Sequence, residues 1–480
     1  MKDNQSNPNP DIKTTLDPKN EGPKFNWKLV LGLLTAIVLG LALIFGIRTD
    51  WYGLANENNR EQTASNESSS EQNAESTSES AKSTEASDED ASAAAISGEG
   101  EGEGEGEGTQ LPNVSTEATA LLNQPENLPS KFHYDSGYDI AYPEDGVKGI
   151  YLSAAGATDQ ALFDENMALL DETNLNSVVL DVKDDYGNIT MDLPSEDDTV
   201  NNNETDSIDG EGIMQTFEDK QIYPIARITT FKDTNLANAD PSRTFLTESG
   251  EVWTNDGGDA FLNPYNKDNW DYLVKVAKSA ARAGYKDIQF DYVRFPEGFE
   301  TFGETLTYDM GDYAEYGKAS TEARQMVIAD FLAYAREELQ PYGVDVSADI
   351  FGYVTDVVAT PGIGQNYNMI AENVDVISSM IYPSHWGPGY FGLDYPDLYP
   401  YEVVQAYMEK ENALNAELEE APVSRPWLQD FTASYLAEGT YAEYGVTEVQ
   451  DQIDAVIESG ANEYLLWDAS NTYTRGVDYK

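Results

Sequence analysis

DIQFDYVRFP, residues 287–296, reads as a strand that runs into chemistry. Alternate residues of a strand point to opposite faces, so Ile288 and Phe290 share one face while Gln289 and Asp291 share the other. An apolar face for a covering layer, and a polar face that ends in a carboxylate, is what one strand of a (β/α)8 TIM barrel presents: helices pack outside, and the reactive group sits at the strand's C-terminal end.

Seven further runs of the same kind surround it. They are KGIYLSA (148–154), SVVLDVK (177–183), IYPIARI (222–228), VDVSADI (344–350), DVISSMIYP (375–383), RPWLQDF (425–431) and EYLLWDA (463–469). Most are followed by a helical stretch, and together they fill about one barrel's length. In VDVSADI, Val344, Val346 and Ala348 oppose Asp345, Ser347 and Asp349; in SVVLDVK, Val178, Leu180 and Val182 oppose Ser177, Val179, Asp181 and Lys183. The apolar sets suit the helix layer, so the polar sets face the interior. A lone Asp at a strand end is as readily a helix N-cap or turn former as a reactive group. Asp181, Asp291 and Asp349 all lie on the inward parity, which favours a carboxylate-lined mouth.

Several stretches resemble a known family: YPEDGVKGIYLSA (142–154), LDVKDDYGNI (180–189), FDYVRFP (290–296), SADIFGY (347–353), MIYPSHW (380–386), PWLQDF (426–431) and YLLWDASNTY (464–473). In order and spacing they are similar to a bacterial glycoside hydrolase family of TIM-barrel fold, formerly classed as a domain of unknown function. The resemblance implies a sugar-cleaving barrel over residues 141–480.

The rest of the chain is built differently. Residues 1–28 are rich in Asn, Pro, Asp and Lys and predict a disordered tail. Residues 29–47, LVLGLLTAIVLGLALIFGI, are uninterrupted by charge; at about 1.5 Å per residue they cross most of a bilayer core of about 30 Å. Trp27 and Trp51 flank this transmembrane span, and Lys24 and Lys28 precede it, whereas Arg48 alone follows before Asp50. That bias puts the N-terminus in the cytoplasm and the remainder outside the cell membrane. A signal peptide cut near Ala55 is the rival reading, against which stand the long n-region and the long apolar run. Residues 48–140, with a Gly-Glu repeat over 98–108, predict a disordered acidic linker.

A net charge of -59 argues against nucleic acid and anionic membrane surfaces as partners. The acidic stretch SEDDTVNNNETDSID (195–209) reads as a solvated insertion, with calcium as the alternative although EF-hand spacing is lacking. The partner expected is a polysaccharide or cell-wall glycan; no feature assigns an oligomeric state.

The residues also narrow the chemistry. The chain has no Cys and two His, His133 and His385. Convergent imidazoles and thiolates for a metal are missing, and no G-x-S-x-G elbow, G-x-G-x-x-G loop or Walker motif follows a strand. The reading is therefore no metal and no cofactor, with carboxylates as catalysts. Glycosidic cleavage uses two, one a proton donor and one a nucleophile or a base for water. Asp291 and Asp349 end neighbouring strands; Asp291, with Arg294 and Lys183 expected beside it, suits the anionic role, and Asp349, with apolar flanks, the acid role. Asp181, Lys183 and Asp184 form a further charged cluster, and Arg227 ends the third strand; each is either a sugar contact or part of an internal ion-pair network. Tyr151, Tyr382, Trp386, Trp427 and Trp467 fit sugar recognition through their ring faces, with Trp386 and Trp467 preferred for their neighbours His385 and Asp468, and with Gln429 and Asp430 completing the rim. A silent carbohydrate-binding barrel, or a lyase or transglycosylase on the same scaffold, are the competing functions.

Overall fold

The computed structural model describes residues 133–195, 197–357, 360 and 362–480. The stretches expected from the sequence to be a tail (1–28) and a transmembrane span (29–47), and residues 48–132 of the expected linker, lie outside the described residues. Among the described residues no helix is long and apolar enough to cross a membrane.

Eight parallel strands close into a barrel: β1 (Lys148–Leu152), β2 (Ser177–Lys183), β3 (Tyr223–Thr229), β4 (Asp287–Asp291), β5 (Asp345–Phe351), β6 (Val376–Met380), β7 (Trp427–Gln429) and β8 (Tyr464–Trp467). Each pairs with the next, and β1 pairs with both β2 and β8, so no edge is left in the ring. Seven helices follow the strands in turn: α1 (Gln160–Glu172), α2 (Gly210–Lys220), α3 (Lys267–Ala283), α4 (Thr321–Leu339), α5 (Tyr367–Ala371), α6 (Pro400–Asn415) and α7 (Val446–Glu458). Residues 468–480 after β8 hold no helix; Tyr473, Val477 and Tyr479 pack there as extended chain into the outer core.

Local signals start and stop these helices. The carboxylate of Asp159 accepts from the N–H groups of Ala161 and Leu162 at the start of α1, Asn266 caps α3 and Ser320 caps α4. Helix α3 stops at Gly284, whose φ of +114° suits a left-handed C-terminal cap. The buried faces of these helices meet the outward residues of the strands, among them Val178, Leu180, Ile288, Phe290, Val346, Ala348 and Ile377, in one continuous core.

Up to Asp181 on β2, and along β4 and β5, the strand parity read from the sequence is the parity of the fold. The inward residues form a smaller apolar layer of Val147, Tyr151, Val179, Tyr223, Ile225, Tyr382, Trp427 and Leu465. Below it, at the N-terminal ends of the strands, lies an ionic floor. Arg425 donates through Nη1 to Asp287 Oδ2 at 2.6 Å and through Nε to Glu463 Oε2 at 2.8 Å, and Ser347 Oγ donates to Asp287 Oδ1 at 2.6 Å. Tyr142 OH donates to Glu463 Oε1 at 2.5 Å. The barrel mouth is at the opposite end.

The barrel domain begins earlier than residue 141. Tyr134 N–H donates to Pro341 O at 2.7 Å, Lys286 Nζ to Tyr138 O at 2.9 Å, and Ile140 is buried. Residues 133–140, within the bounds expected for the linker, therefore lie against the turns that precede β4 and β5. The acidic stretch after β2 is also not a plain loop. It forms a short helix, Asp198–Asn201, and a strand, Glu204–Ile208, that pairs in parallel with Ile189–Met191. This pair extends the sheet outward from Lys183, which is aligned with Ile189.

Candidate active site

Register brings the two principal carboxylates together. Phe290 on β4 is aligned with Ala348 on β5, so the next residues, Asp291 and Asp349, stand side by side on the inward face of strands about 4.8 Å apart. Both are buried.

Asp291 is held by donors on every side. Arg227, inward on β3, reaches Asp291 Oδ2 through Nη2 at 2.6 Å and Nε at 3.0 Å, while the N–H of Tyr292 meets Oδ1 at 2.6 Å. The last contact comes with a bent backbone: Tyr292 has φ +48°, a left-handed conformation that costs a bulky residue about 1–2 kcal/mol and persists where surroundings impose it. The surroundings here are Thr230 N–H on Asp291 O and the N–H groups of Phe231 and Arg294 on Tyr292 O.

The same guanidinium serves two more carboxylates. Arg227 Nη1 donates to Asp181 Oδ1 at 2.6 Å and Nη2 to Asp185 Oδ1 at 3.0 Å. Tyr151 OH donates to the other Asp181 oxygen at 2.6 Å. Burial pushes the Asp181 carboxyl up to about 6 against the pull of Arg227 and of the Tyr151 hydrogen bond. Burial raises Asp185 as well, but Arg227 and Lys232 outweigh it and hold that carboxyl below the ordinary range. Lys232 Nζ lies 3.3 Å from Asp185 Oδ2 and 4.8 Å above the Tyr292 ring.

Asp349 lives in the opposite environment. Burial, and then the charge of Asp291, push its carboxyl well above the ordinary carboxylate value, against a hydrogen bond from Trp427 and the charge of Arg227. Trp427 Nε1 donates to Oδ1 at 2.9 Å; Oδ2 takes no hydrogen bond among the described residues. Tyr382 is buried beside both carboxylates, which together with burial raise its hydroxyl well above its ordinary value. Trp467 stacks on Tyr151 with centroids 4.1 Å apart, stands edge-on to Trp427 at 5.5 Å, and lies 5.7 Å from the Arg227 guanidinium. A carboxyl inclined to keep its proton, next to one wrapped in N–H donors, is the pairing that acid-assisted glycosidic cleavage needs.

Asp181, Arg227, Asp291, Asp349, Tyr382, Trp467, Tyr151 and Trp427 thus share the mouth. The other residues named from the sequence are engaged by further partners or stand at the rim. Lys183 is fully buried against Asp233 Oδ2 at 3.0 Å and Thr229 O at 2.6 Å, because the β2–β3 register shifts between Asp181 and Lys183 and breaks the alternation there. Arg294 is no partner of Asp291: its guanidinium is sandwiched between the rings of Tyr292 at 4.7 Å and Phe351 at 4.8 Å, with Glu297 3.6 Å away. Trp386 is buried in the outer core against Tyr390, Phe391 and Tyr407. Gln429 ties loops together, accepting from Ser384 N–H and donating to Asp397 Oδ1 and Phe431 O. Asp430 accepts from Thr474 N and Oγ1 at 3.0 and 2.6 Å, and burial pushes its carboxyl up to about 6. Asp468 accepts from Ser470 N–H and Oγ, and burial raises it too. His385 is exposed at the rim, edge-on to Tyr382 with centroids 4.9 Å apart. Asp184 is a turn former, accepting from the N–H groups of Tyr186, Gly187 and Asn188.

Two site residues escaped the sequence reading, Asp185 and Lys232. The signal for Asp185 was present in DDYGN (184–188): in an Asp-initiated turn the first Asp is spent on backbone N–H groups, which leaves the second for the mouth. Gly187 completes that turn with φ +98°, and a Cβ there would collide with the Asp233 carboxylate.

The family described as "Putative glycosyl hydrolase domain" matches residues 149–473. Among solved structures, a hypothetical protein from Ruminiclostridium thermocellum ATCC 27405 is 31% identical, over 42% of this chain and 96% of that one, with a TM-score of 0.36. The PgaB (BpsB) glycoside hydrolase domain from Bordetella bronchiseptica is 14% identical over 68% of this chain and 94% of its own, with a TM-score of 0.46. Alpha-L-fucosidase isoenzyme 2 from Paenibacillus thiaminolyticus is 13% identical over 68% of this chain and 47% of its own, with a TM-score of 0.44. No curated protein matches the chain.

Proposed function

The chain belongs to the family described as "Putative glycosyl hydrolase domain", and from that premise we propose that it is a membrane-anchored glycoside hydrolase acting outside the cell on a cell-wall or environmental polysaccharide. In this reading Asp349 protonates the leaving oxygen of the glycosidic bond, and Asp291 acts from the other side of the bond as nucleophile or as base for water. Arg227 carries the charge of the anionic carboxylates while the bond breaks. Tyr382 and the open edge of Trp467 supply the surface against which a sugar ring packs.

The observation that carries the reading is the contrast between the two aligned carboxylates. Asp349 is pushed up by burial and by Asp291, whereas Asp291 accepts three N–H hydrogen bonds, two of them from one guanidinium. Anchoring rests on the apolar run 29–47 with Lys24 and Lys28 before it.

The test is a screen of the full chain against purified wall glycan strands and neutral plant and bacterial polysaccharides in 18O-labelled water. Hydrolysis places the label in a new reducing end. An unsaturated sugar would assign a lyase, and binding without product a silent barrel; either outcome overturns the proposal.

A further inference from the structure

The indole of Trp427 hydrogen-bonds the carboxyl read above as the acid, and its chemistry restricts what that carboxyl can do. An indole N–H donates and never accepts, whereas a protonated carboxyl has one O–H and keeps acceptor capacity on its other oxygen. The oxygen that faces Trp427 Nε1 at 2.9 Å is Asp349 Oδ1. Ser378 is aligned with Asp349 on β6 and accepts from Gln289 Nε2 at 3.4 Å, and among the described residues Trp427 is the one donor to the Asp349 carboxyl.

Trp427 is itself immobilised. It is buried in the barrel interior, and Trp467 meets it edge-on at 85°. Trp467 lies flat on Tyr151, Tyr151 donates to Asp181, Asp181 accepts from Arg227, and Arg227 donates to Asp291. An unbroken run of contacts therefore leads from Asp349 round the barrel wall to Asp291, through side chains of β5, β7, β8, β1, β2, β3 and β4.

We propose that Trp427 is a positioning residue for the acid: by occupying Asp349 Oδ1 with a donor that cannot accept, it confines the transferable proton to Oδ2. The inference rests on the reading of Asp349 as the acid. It goes beyond that reading by naming the oxygen that carries the proton and the residue that selects it.

The first test uses the unmutated full chain with 15N-labelled tryptophan. One indole N–H resonance is expected to shift with pH at the midpoint of the alkaline limb of kcat/KM, measured on whichever polysaccharide of the screen is cleaved. That titration should vanish in Asp349→Asn. The second test is Trp427→Phe, which keeps an aromatic ring and deletes the donor. Turnover should fall about 10- to 100-fold with little change in KM. The alkaline limb should move up by about one pH unit, since a hydrogen bond that favours the ionised acid has gone. A role in packing alone would lower stability or rate and leave the limb in place. Indole resonances that ignore the limb, or an unmoved limb in Trp427→Phe, overturn the inference while leaving the hydrolase reading intact. An active Asp349→Asn removes the acid reading itself, and this inference with it.

Discussion

Two nitrogens of Arg227 converge on a single oxygen of Asp291, at 2.6 and 3.0 Å. The carboxylate is thereby fixed in rotation, with its second oxygen against the Tyr292 N–H. Its neighbour Asp349 has one donor, Trp427 Nε1 on Oδ1, and no hydrogen bond to Oδ2 among the described residues. The difference in how the two side chains are gripped assigns their roles in the proposed mechanism.

Asp291→Asn and Asp349→Asn should each reduce kcat by about 100- to 10,000-fold, because each removes a charge or a proton that cleavage uses. Circular dichroism and melting should stay close to the parent. The double variant should lose little more than the worse single one, since the two act as a unit; full additivity in steady-state kinetics would separate them.

Arg227→Met should destabilise the fold by about 3–5 kcal/mol, because it strands Asp181, Asp185 and Asp291 without their shared cation. Denaturant unfolding measures this. A midpoint within error of the parent would show that solvent reaches all three carboxylates freely.

Activity should persist above the ordinary carboxylate range and fall on an alkaline limb set by Asp349. The sign follows from its role: a general acid works in its protonated form, which a raised value preserves to higher pH. A kcat/KM profile with a descending midpoint near the ordinary value of 3.8 would contradict burial as the dominant influence on this group.

Gly187→Ala should cost about 1–3 kcal/mol through its positive φ and the crowding of Asp233. Because Asp233 is the partner of Lys183, the loss should be seen in melting temperature. Trp386→Ala, by contrast with the sugar-contact role expected from sequence, should cost about 3–5 kcal/mol as a core truncation and leave KM nearly unchanged. A large rise in KM with unchanged stability would return Trp386 to the mouth.

The barrel and its principal carboxylates were legible because both depend on local alternation. Ile288 and Phe290 outward, with Gln289 and Asp291 inward, follows from backbone geometry alone, and Asp349 aligns with Asp291 because neighbouring parallel strands hold register. Of the two roles open to Lys183, the internal ion pair with Asp233 is the one the structure shows, and a register shift that breaks the alternation places it there. The neighbours of Gln429, Asp430 and Arg294 were out of reach of the sequence for another reason: their side chains meet Ser384, Thr474 and the Tyr292 and Phe351 rings, whose proximity is a property of the closed barrel. Trp386 went astray because its loop folds back over the backbone at Gly352, where a Cβ would meet both Met380 O and the indole. Charge and ring type identify a residue as able to bind sugar; only tertiary neighbours decide whether it is free to do so.

The ionic floor beneath the apolar layer gives the barrel a dead end. Arg425, Asp287 and Glu463 are buried, with Arg425 paired to both acids, so among the described residues the interior is sealed below Trp427 and Val179. A glycan cannot be threaded through such a vessel. It must be laid across the rim or dipped in end first, cut, and withdrawn by the way it came, so each turnover on a long chain includes a release step that no sliding motion through the barrel can replace.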